Sequence, residues 1–426
     1  MSKLQSVEIL GGGPGGLYCA ILIRKLLPEV KVRVTEQNPV GATWGFGVVF
    51  SDQALDFLKA DDPEIHDLIV PGMERWRNMT LNLPGGTVTL DGVGFTAIGR
   101  LELIETLRKR AEELGAELRF SHHLESVDEL EADLIIGADG LNSLVRASDP
   151  QAFEEDISVR NNHFAWFGTN RPFDTLTQTF VETDKGALNA HHYRFSPTTS
   201  TFIVECTGEV FDAWGFADMD EAKSAEVCAE IFSDVLEGAP LITNRSIWRN
   251  FPAIHCESWV HENVVILGDA AHTAHFSIGS GTKLAMEDAI ALKDALVQND
   301  WSVPEALTAY DHDRREEVGK IQHAANVSLA WFENVPRYME MAPEQFKFSM
   351  MSRSKQVTFE NLRMRDPELI EKVTAWFAAE GRRAGFDVDD TTPPMFVPFR
   401  LRDMVVSNRV VVSPMCQYSA TDGVPD

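Results

Sequence analysis

Gly11, Gly13 and Gly16 stand at the spacing G-x-G-x-x-G, and Glu36 follows 20 residues after the last of them. Those residue types suit one task. The first glycine lets a chain turn sharply off a strand, the second lets backbone approach a pyrophosphate, and the third allows a helix to pack closely on the strand. In the run Gly11-Gly12-Gly13-Pro14-Gly15-Gly16, the N–H groups and dipole of the following helix would face the phosphates. Glu36 would accept hydrogen bonds from ribose hydroxyls. A dinucleotide site is the expectation, against the plainer reading of a glycine-rich turn.

Two later runs have the same character. Ile135-Ile136-Gly137-Ala138-Asp139-Gly140 is an apolar strand ending in Asp-Gly, with Ser143 and Arg146 just beyond. Gly268-Asp269-Ala270-Ala271-His272 follows the apolar stretch Val264–Leu267, and Gly279-Ser280-Gly281 then opens a helix. The elements needed to position them are legible. Ser6–Leu10 and Lys31–Thr35 read as strands around a helix beginning near Leu17. Leu101, Ile104, Leu107, Ala111 and Leu114 have helical spacing, while Thr177–Glu182, Ala190–Phe195 and Ser200–Cys206 alternate as strands. The fold class is α/β: a Rossmann-like nucleotide domain interleaved with a mostly antiparallel β-sheet substrate domain, and C-terminal helices. The expected divisions are 1–74, 99–160 and 256–300 for the first domain, 75–98 and 161–255 for the second, a helical region at 301–390, and a linker with a tail at 391–426.

Composition narrows the function. With 38 Lys+Arg against 65 Asp+Glu, the net charge of −27 repels nucleic acid and anionic membrane. Any anionic ligand must then meet local arginines or backbone N–H groups. Five scattered cysteines without metal-ligand spacing suggest neither a disulfide framework nor a metal site, and point to a cytoplasmic setting. No run of about 18 apolar residues suggests a membrane span.

The three motifs, in this order and spacing over residues 5–330, resemble the flavoprotein aromatic hydroxylases that include para-hydroxybenzoate hydroxylase. The resemblance implies tightly held FAD, NAD(P)H that binds transiently, and molecular oxygen as co-substrate, with ring hydroxylation through a flavin C4a-hydroperoxide. By that likeness Asp269 faces the ribityl chain, the helix after Gly279 and Gly281 points at the flavin, and Arg100 lies beside the pyrophosphate. Gly47 and Val48, in Trp44-Gly45-Phe46-Gly47-Val48-Val49, line the flavin ring or form an ordinary core turn. Asp139 and Gly140 are implied for either nucleotide.

Where common members have proline, this chain has His275 and Phe276. With Phe202–Cys206 and Trp248–Phe251, this resembles the subgroup acting on 2-aminobenzoyl-CoA or salicylyl-CoA. Alternatives are a tryptophan-type or other hydroxylase without CoA, and a flavin reductase on the same scaffold. His275 is the catalytic candidate, and His192, Tyr193 and Phe276 are substrate candidates, with His191 on the same strand as His192 and Tyr193, where one of the three would line the pocket. Arg75, Arg77, Arg194, Arg245 and Arg249 are candidates for CoA phosphates. A homodimer is an open expectation. Asn408–Tyr418, with Ser413-Pro414-Met415-Cys416, resembles the opening of an old yellow enzyme-like barrel, too short here to close.

Overall fold

The computed structural model describes residues 4–51, 55–92 and 94–413. Strand β1 (Ser6–Leu10) buries Val7 and Ile9 and runs into α1 (Pro14–Leu26), where Pro14 occupies a first-turn position that needs no N–H partner. Next come β2 (Lys31–Thr35), β3 (Gly47–Ser51), β4 (Glu74–Trp76), β5 (Met79–Leu83), β6 (Gly86–Leu90) and β7 (Phe95–Gly99). They are followed by α2 (Arg100–Glu113), β8 (Glu117–Arg119), β9 (Leu134–Gly137) and the short α3 (Leu144–Ser148). Strands β10 (Glu155–Thr169), β11 (Leu176–Thr183), β12 (Gly186–Ser196) and β13 (Thr199–Cys206) then lead to helices α4 (Gly208–Trp214) and α5 (Glu221–Ile231). The chain returns through β14 (Leu241–Ile242), β15 (Arg249–Cys256), β16 (Val260–His261) and β17 (Val264–Ile266) to the long helices α6 (Gly281–Gln298) and α7 (Val303–Glu333).

Two large sheets result. The first has the order β16-β17-β9-β1-β2-β8 and is parallel except for β16. The second runs β14-β10-β13-β12-β11-β5-β6, with β15 also paired to β10, and is antiparallel except where β11 meets β5. The segment expected to insert whole into the second sheet is divided. β5 and β6 join that sheet, whereas β4 and β7 pair with β3 in a separate three-stranded sheet.

Alternation gives the second sheet two different faces. One carries Ala165, Phe167, Leu188, Ala190, Phe202 and Val204 into a hydrophobic core with Val210 and Phe211 of α4 and Cys228 of α5. The other presents Asn162, Phe164 and Trp166 of β10, Asn189, His191 and Tyr193 of β12, and Glu205 of β13.

Contacts divide the chain into two compact units, 1–343 with 353–356, and 344–352 with 357–426. The helical run expected as one region from 301 to 390 is therefore split: α7 belongs to the first unit, where it packs on α6. In the second unit, α8 (Pro367–Arg383) buries Ala378 against Val388 and Val397. Val397 has no exposed surface, so the stretch read as a linker from 391 contributes to that core. A hairpin, β18 (Phe399–Leu401) with β19 (Met404–Val406), follows, and Val410–Val412 are exposed. The tail resemblance from Pro414 onward lies outside the described residues.

Candidate active site

Gly11 has φ +109, and a Cβ there would lie 2.2 Å from the Ala138 carbonyl oxygen; one at Gly16 would lie 2.1 Å from that of Gly11. Both glycines are required by close packing of the β1–α1 turn. Gly13 differs: a Cβ there would meet no atom within 4 Å, and the same holds for Gly140 and Gly281. The N-termini of α1 and α6 carry no side-chain cap and stand side by side, since Gly15 of α1 lies against Ala285 of α6. Glu36 accepts from Gly12 N at 2.8 Å and from Asn38 N and Nδ2 at 2.8 and 2.7 Å.

Asp269 is surrounded by protein yet keeps exposed surface. Burial raises its pKa, against the opposing charges of His272 and Arg100, while Asp288 adds to the rise. Arg100 is similarly deep, and its Nε has no hydrogen-bond partner among the described residues. The loop carrying Asp269 is held firmly. Asp288 of α6, fully buried, accepts from Gly268 N at 2.8 Å, sits 2.7 Å from His272 Nε2 and receives Arg314 Nε at 2.8 Å. Gly279, at φ +62 against Val49, forms the turn before α6.

On the polar face of the second sheet, Glu205 has no exposed surface. Asn162 Nδ2 donates to its Oε1 at 2.7 Å, His191 Nε2 lies 3.3 Å from Oε2, and His275 Nε2 lies 3.7 Å from Oε1. Burial alone would raise the Glu205 pKa, but these neighbours hold it below the usual value. Burial pushes His275 down to about 4, against the pull of Glu205. A hydrogen-bond chain continues from His275 Nδ1 to Ser277 Oγ (2.8 Å), Ser328 Oγ (2.9 Å) and Arg353 Nε (2.9 Å). Aromatic rings enclose the cluster. Phe276 lies 4.0 Å from His275, 5.3 Å from His191 and 5.0 Å from Phe164, centroid to centroid, and Phe332 lies 4.9 Å from His191.

The structure thus brings His275 and Phe276 together with His191, weighed beside His192 and Tyr193 on the same strand, and with Glu205, which lies in the Phe202–Cys206 run without a role read from sequence. His192 is corrected. It sits on the opposite sheet face, bonded to Thr179 Oγ1 at 2.8 Å and stacked on Phe202, because successive strand residues alternate sides. Tyr193 is on the cleft face and donates to the Gly47 carbonyl at 2.9 Å. Gly47 is also reassigned: its N–H donates to Thr201 Oγ1, and a Cβ would strike the Phe195 ring at 2.5 Å. Its bareness therefore serves packing on the sheet. Val48 is buried in the core, with its strand paired to β7. The Asp139 carboxylate is engaged locally, accepting from Ser143 Oγ, Leu144 N and Val145 N, so it anchors the start of α3. Strand alternation could have found Glu205 and His191, for a Glu in the apolar run Phe202–Cys206 has to be buried with a partner.

Residues 94–325 match the FAD binding domain family model. The chain belongs to that family. It is 36% identical to salicyloyl-CoA 5-hydroxylase of a Streptomyces species, over 98% of this chain and 81% of that protein. It is 33% identical to 3-hydroxy-4-methyl-anthranilyl-[aryl-carrier protein] 5-monooxygenase of Streptosporangium sibiricum, over 84% and 96% of the two chains. The solved structure of tetrameric 2-methyl-3-hydroxypyridine-5-carboxylic acid oxygenase shares the fold, with TM-score 0.62 and 20% identity over 85% of this chain and 96% of that one. The protein is an FAD-dependent monooxygenase. Its residues fit the cofactor, given the bare space before Gly13 and Gly281, two uncapped helix N-termini, the orphaned Arg100 Nε and the open Asp269 carboxylate.

Proposed function

We propose that this enzyme uses NAD(P)H, FAD and molecular oxygen to hydroxylate an aromatic ring that carries an ortho hydroxyl or amino group and is held as a coenzyme A thioester. Bound FAD supplies acceptance of hydride and activation of oxygen. Gly13, Pro14, Gly15 and Gly16 with Arg100 would hold its pyrophosphate, Glu36 its ribose, Asp269 its ribityl chain, and the α6 N-terminus its ring. The observation that carries the reading is the enclosed Glu205–His191–His275 cluster beside Phe276.

In the proposed site, Phe164, Phe276 and Phe332 exclude water and bracket a flat ring. His275 is neutral near pH 7 because burial holds its pKa near 4. Its Nδ1 can therefore accept a hydrogen bond relayed through Ser277 from the ring substituent, while Nε2 faces Glu205. A substituent polarised in this way enriches the ring for attack by electrophilic oxygen. Asn162 Oδ1, Asn189 Oδ1 and Gln178 Oε1, on the same sheet face as Glu205 and His191, are buried without partners among the described residues. A polar substrate in this space would satisfy such atoms.

The test is NAD(P)H oxidation and hydroxylated product formation by the holoenzyme with salicylyl-CoA, 2-aminobenzoyl-CoA and the two free acids. The thioesters should accelerate oxidation and yield product. Equal stimulation by the free acids would overturn the thioester reading, and purification without a flavin absorption band would overturn FAD use.

A further inference from the structure

Arg245 and Arg249 stand out in a chain with 65 acidic residues. Arg194, by contrast, is paired with Glu74 at 2.8 Å. Among the described residues, neither Arg245 nor Arg249 has a carboxylate at ion-pair distance. Arg245 adopts φ +55, a conformation that residues with a Cβ rarely adopt, and places its guanidinium 3.9 Å from the centre of the Trp44 ring. Trp44 is 43% exposed and Ile247 is 53% exposed. Arg249 Nη2 reaches back to the Arg245 carbonyl at 3.4 Å. The nearby carboxylate of Glu221 is engaged by Ser246 N at 2.8 Å.

Two loops far apart in sequence are laced together to form this surface. Asn244 Nδ2 donates to the carbonyls of Thr43 and Gly45, at 3.2 and 2.8 Å. Two sets of contacts then connect this surface to the interior. Along the first loop, the Phe46 carbonyl accepts from Arg100 N, and the Gly47 carbonyl accepts from Tyr193. Along the sheet, Arg249 of β15 is registered against Phe164 of β10, whose ring touches Phe276. An exposed ring with two guanidinium groups that lack a carboxylate at ion-pair distance among the described residues, on loops tied by these contacts to the site, suits a ligand with a flat base and several phosphates.

We propose that Trp44, Arg245 and Arg249 form the subsite for the phosphorylated adenosine end of the coenzyme A thioester. This rests on the acyl-CoA reading above and adds the residues that recognise the part of the substrate remote from the ring. Among the described residues, Arg75 and Arg77 are also exposed and without a carboxylate at ion-pair distance, but no aromatic contact accompanies them.

The experiment compares the holoenzyme with its Arg245→Glu and Trp44→Ala variants on the CoA thioester and the phosphate-free pantetheine thioester of one aromatic acid. Adenosine 3′,5′-bisphosphate serves as a competing probe. The unaltered enzyme should favour the CoA thioester by about tenfold in KM, equivalent to about 1.4 kcal/mol. In Arg245→Glu that ratio should collapse toward one, and inhibition by the bisphosphate should be lost. Trp44→Ala should weaken both in the same direction. Unchanged ratios in both variants, or equal KM increases on the two thioesters, would overturn the subsite. Preference for a carrier-protein thioester over the CoA thioester would overturn it in favour of a protein partner. Equal turnover of free acid by the unaltered enzyme would instead defeat the acyl-CoA reading itself, so the two failures are separable.

Discussion

Burying an ionised carboxylate is costly unless its oxygens are bonded, and Glu205 shows the compensation, with Asn162 on one oxygen and His191 on the other. The same burial has an opposite consequence for His275 and His192, whose pKa values it depresses, the first to about 4. Unfolding frees both to protonate near 6.5, so below that value the unfolded state binds more protons than the folded one. Stability from neutral burial is complete above about pH 6.5 and is lost as pH falls below it. Denaturant midpoints of the holoenzyme should fall across that window, and His192→Phe should flatten the slope. An unchanged slope would mean that His192 is charged when folded. Asp269→Ala tests the other end of the cleft. Losing a carboxylate proposed to bond the cofactor should cost roughly 1–3 kcal/mol of FAD affinity, read by titrating flavin into apoenzyme. Much at this scale was legible, because glycines and acids in motifs announce themselves. The His191/His192 choice was not, since a strand reading without register cannot say which of two adjacent residues faces inward.

At the scale of elements, the glycines divide by what stands in front of them. Gly13 faces open space and has an ordinary φ of −76, so Gly13→Ala should leave the thermal midpoint of the apoprotein within about 1 °C while weakening FAD binding. Gly47 faces the Phe195 ring, and overpacking of that kind costs about 1–3 kcal/mol. Gly47→Ala should therefore lower the apoprotein midpoint by several degrees, as 1 kcal/mol shifts a large domain by about 2–4 °C. Equal midpoints for the two variants would refute the division. Strand and helix positions around the motifs were readable from periodicity; β2 spans Lys31–Thr35 as expected, and α6 begins at Gly281, next to the expected Thr282. The partition of residues 75–98 between two sheets was not, because hairpins with similar turns carry no mark of the sheet they will join.

Over the whole molecule, a charge of −27 opposes the approach of a polyanionic thioester that the Trp44–Arg245–Arg249 surface is proposed to hold. The two effects act over different distances. At about 10 mM salt the screening length is about 30 Å, so the substrate feels most of the acidic surface at once. At about 0.1 M it shrinks to about 10 Å, leaving the local arginines effective while distant carboxylates fade. Near 1 M, at about 3 Å, even contacts at the surface weaken. For the CoA thioester, kcat/KM should therefore rise from 10 mM to about 0.1 M salt and fall again toward 1 M. The uncharged pantetheine thioester should show a nearly flat profile, since neither the long-range field nor the arginines act on it. In Arg245→Glu the falling limb should flatten, because the introduced carboxylate offsets the attraction that Arg249 still supplies. A steady decline from 10 mM upward in the unaltered enzyme would show that the local cations outweigh the global charge at every distance. A flat profile would mean that the phosphates remain in solvent, away from any arginine.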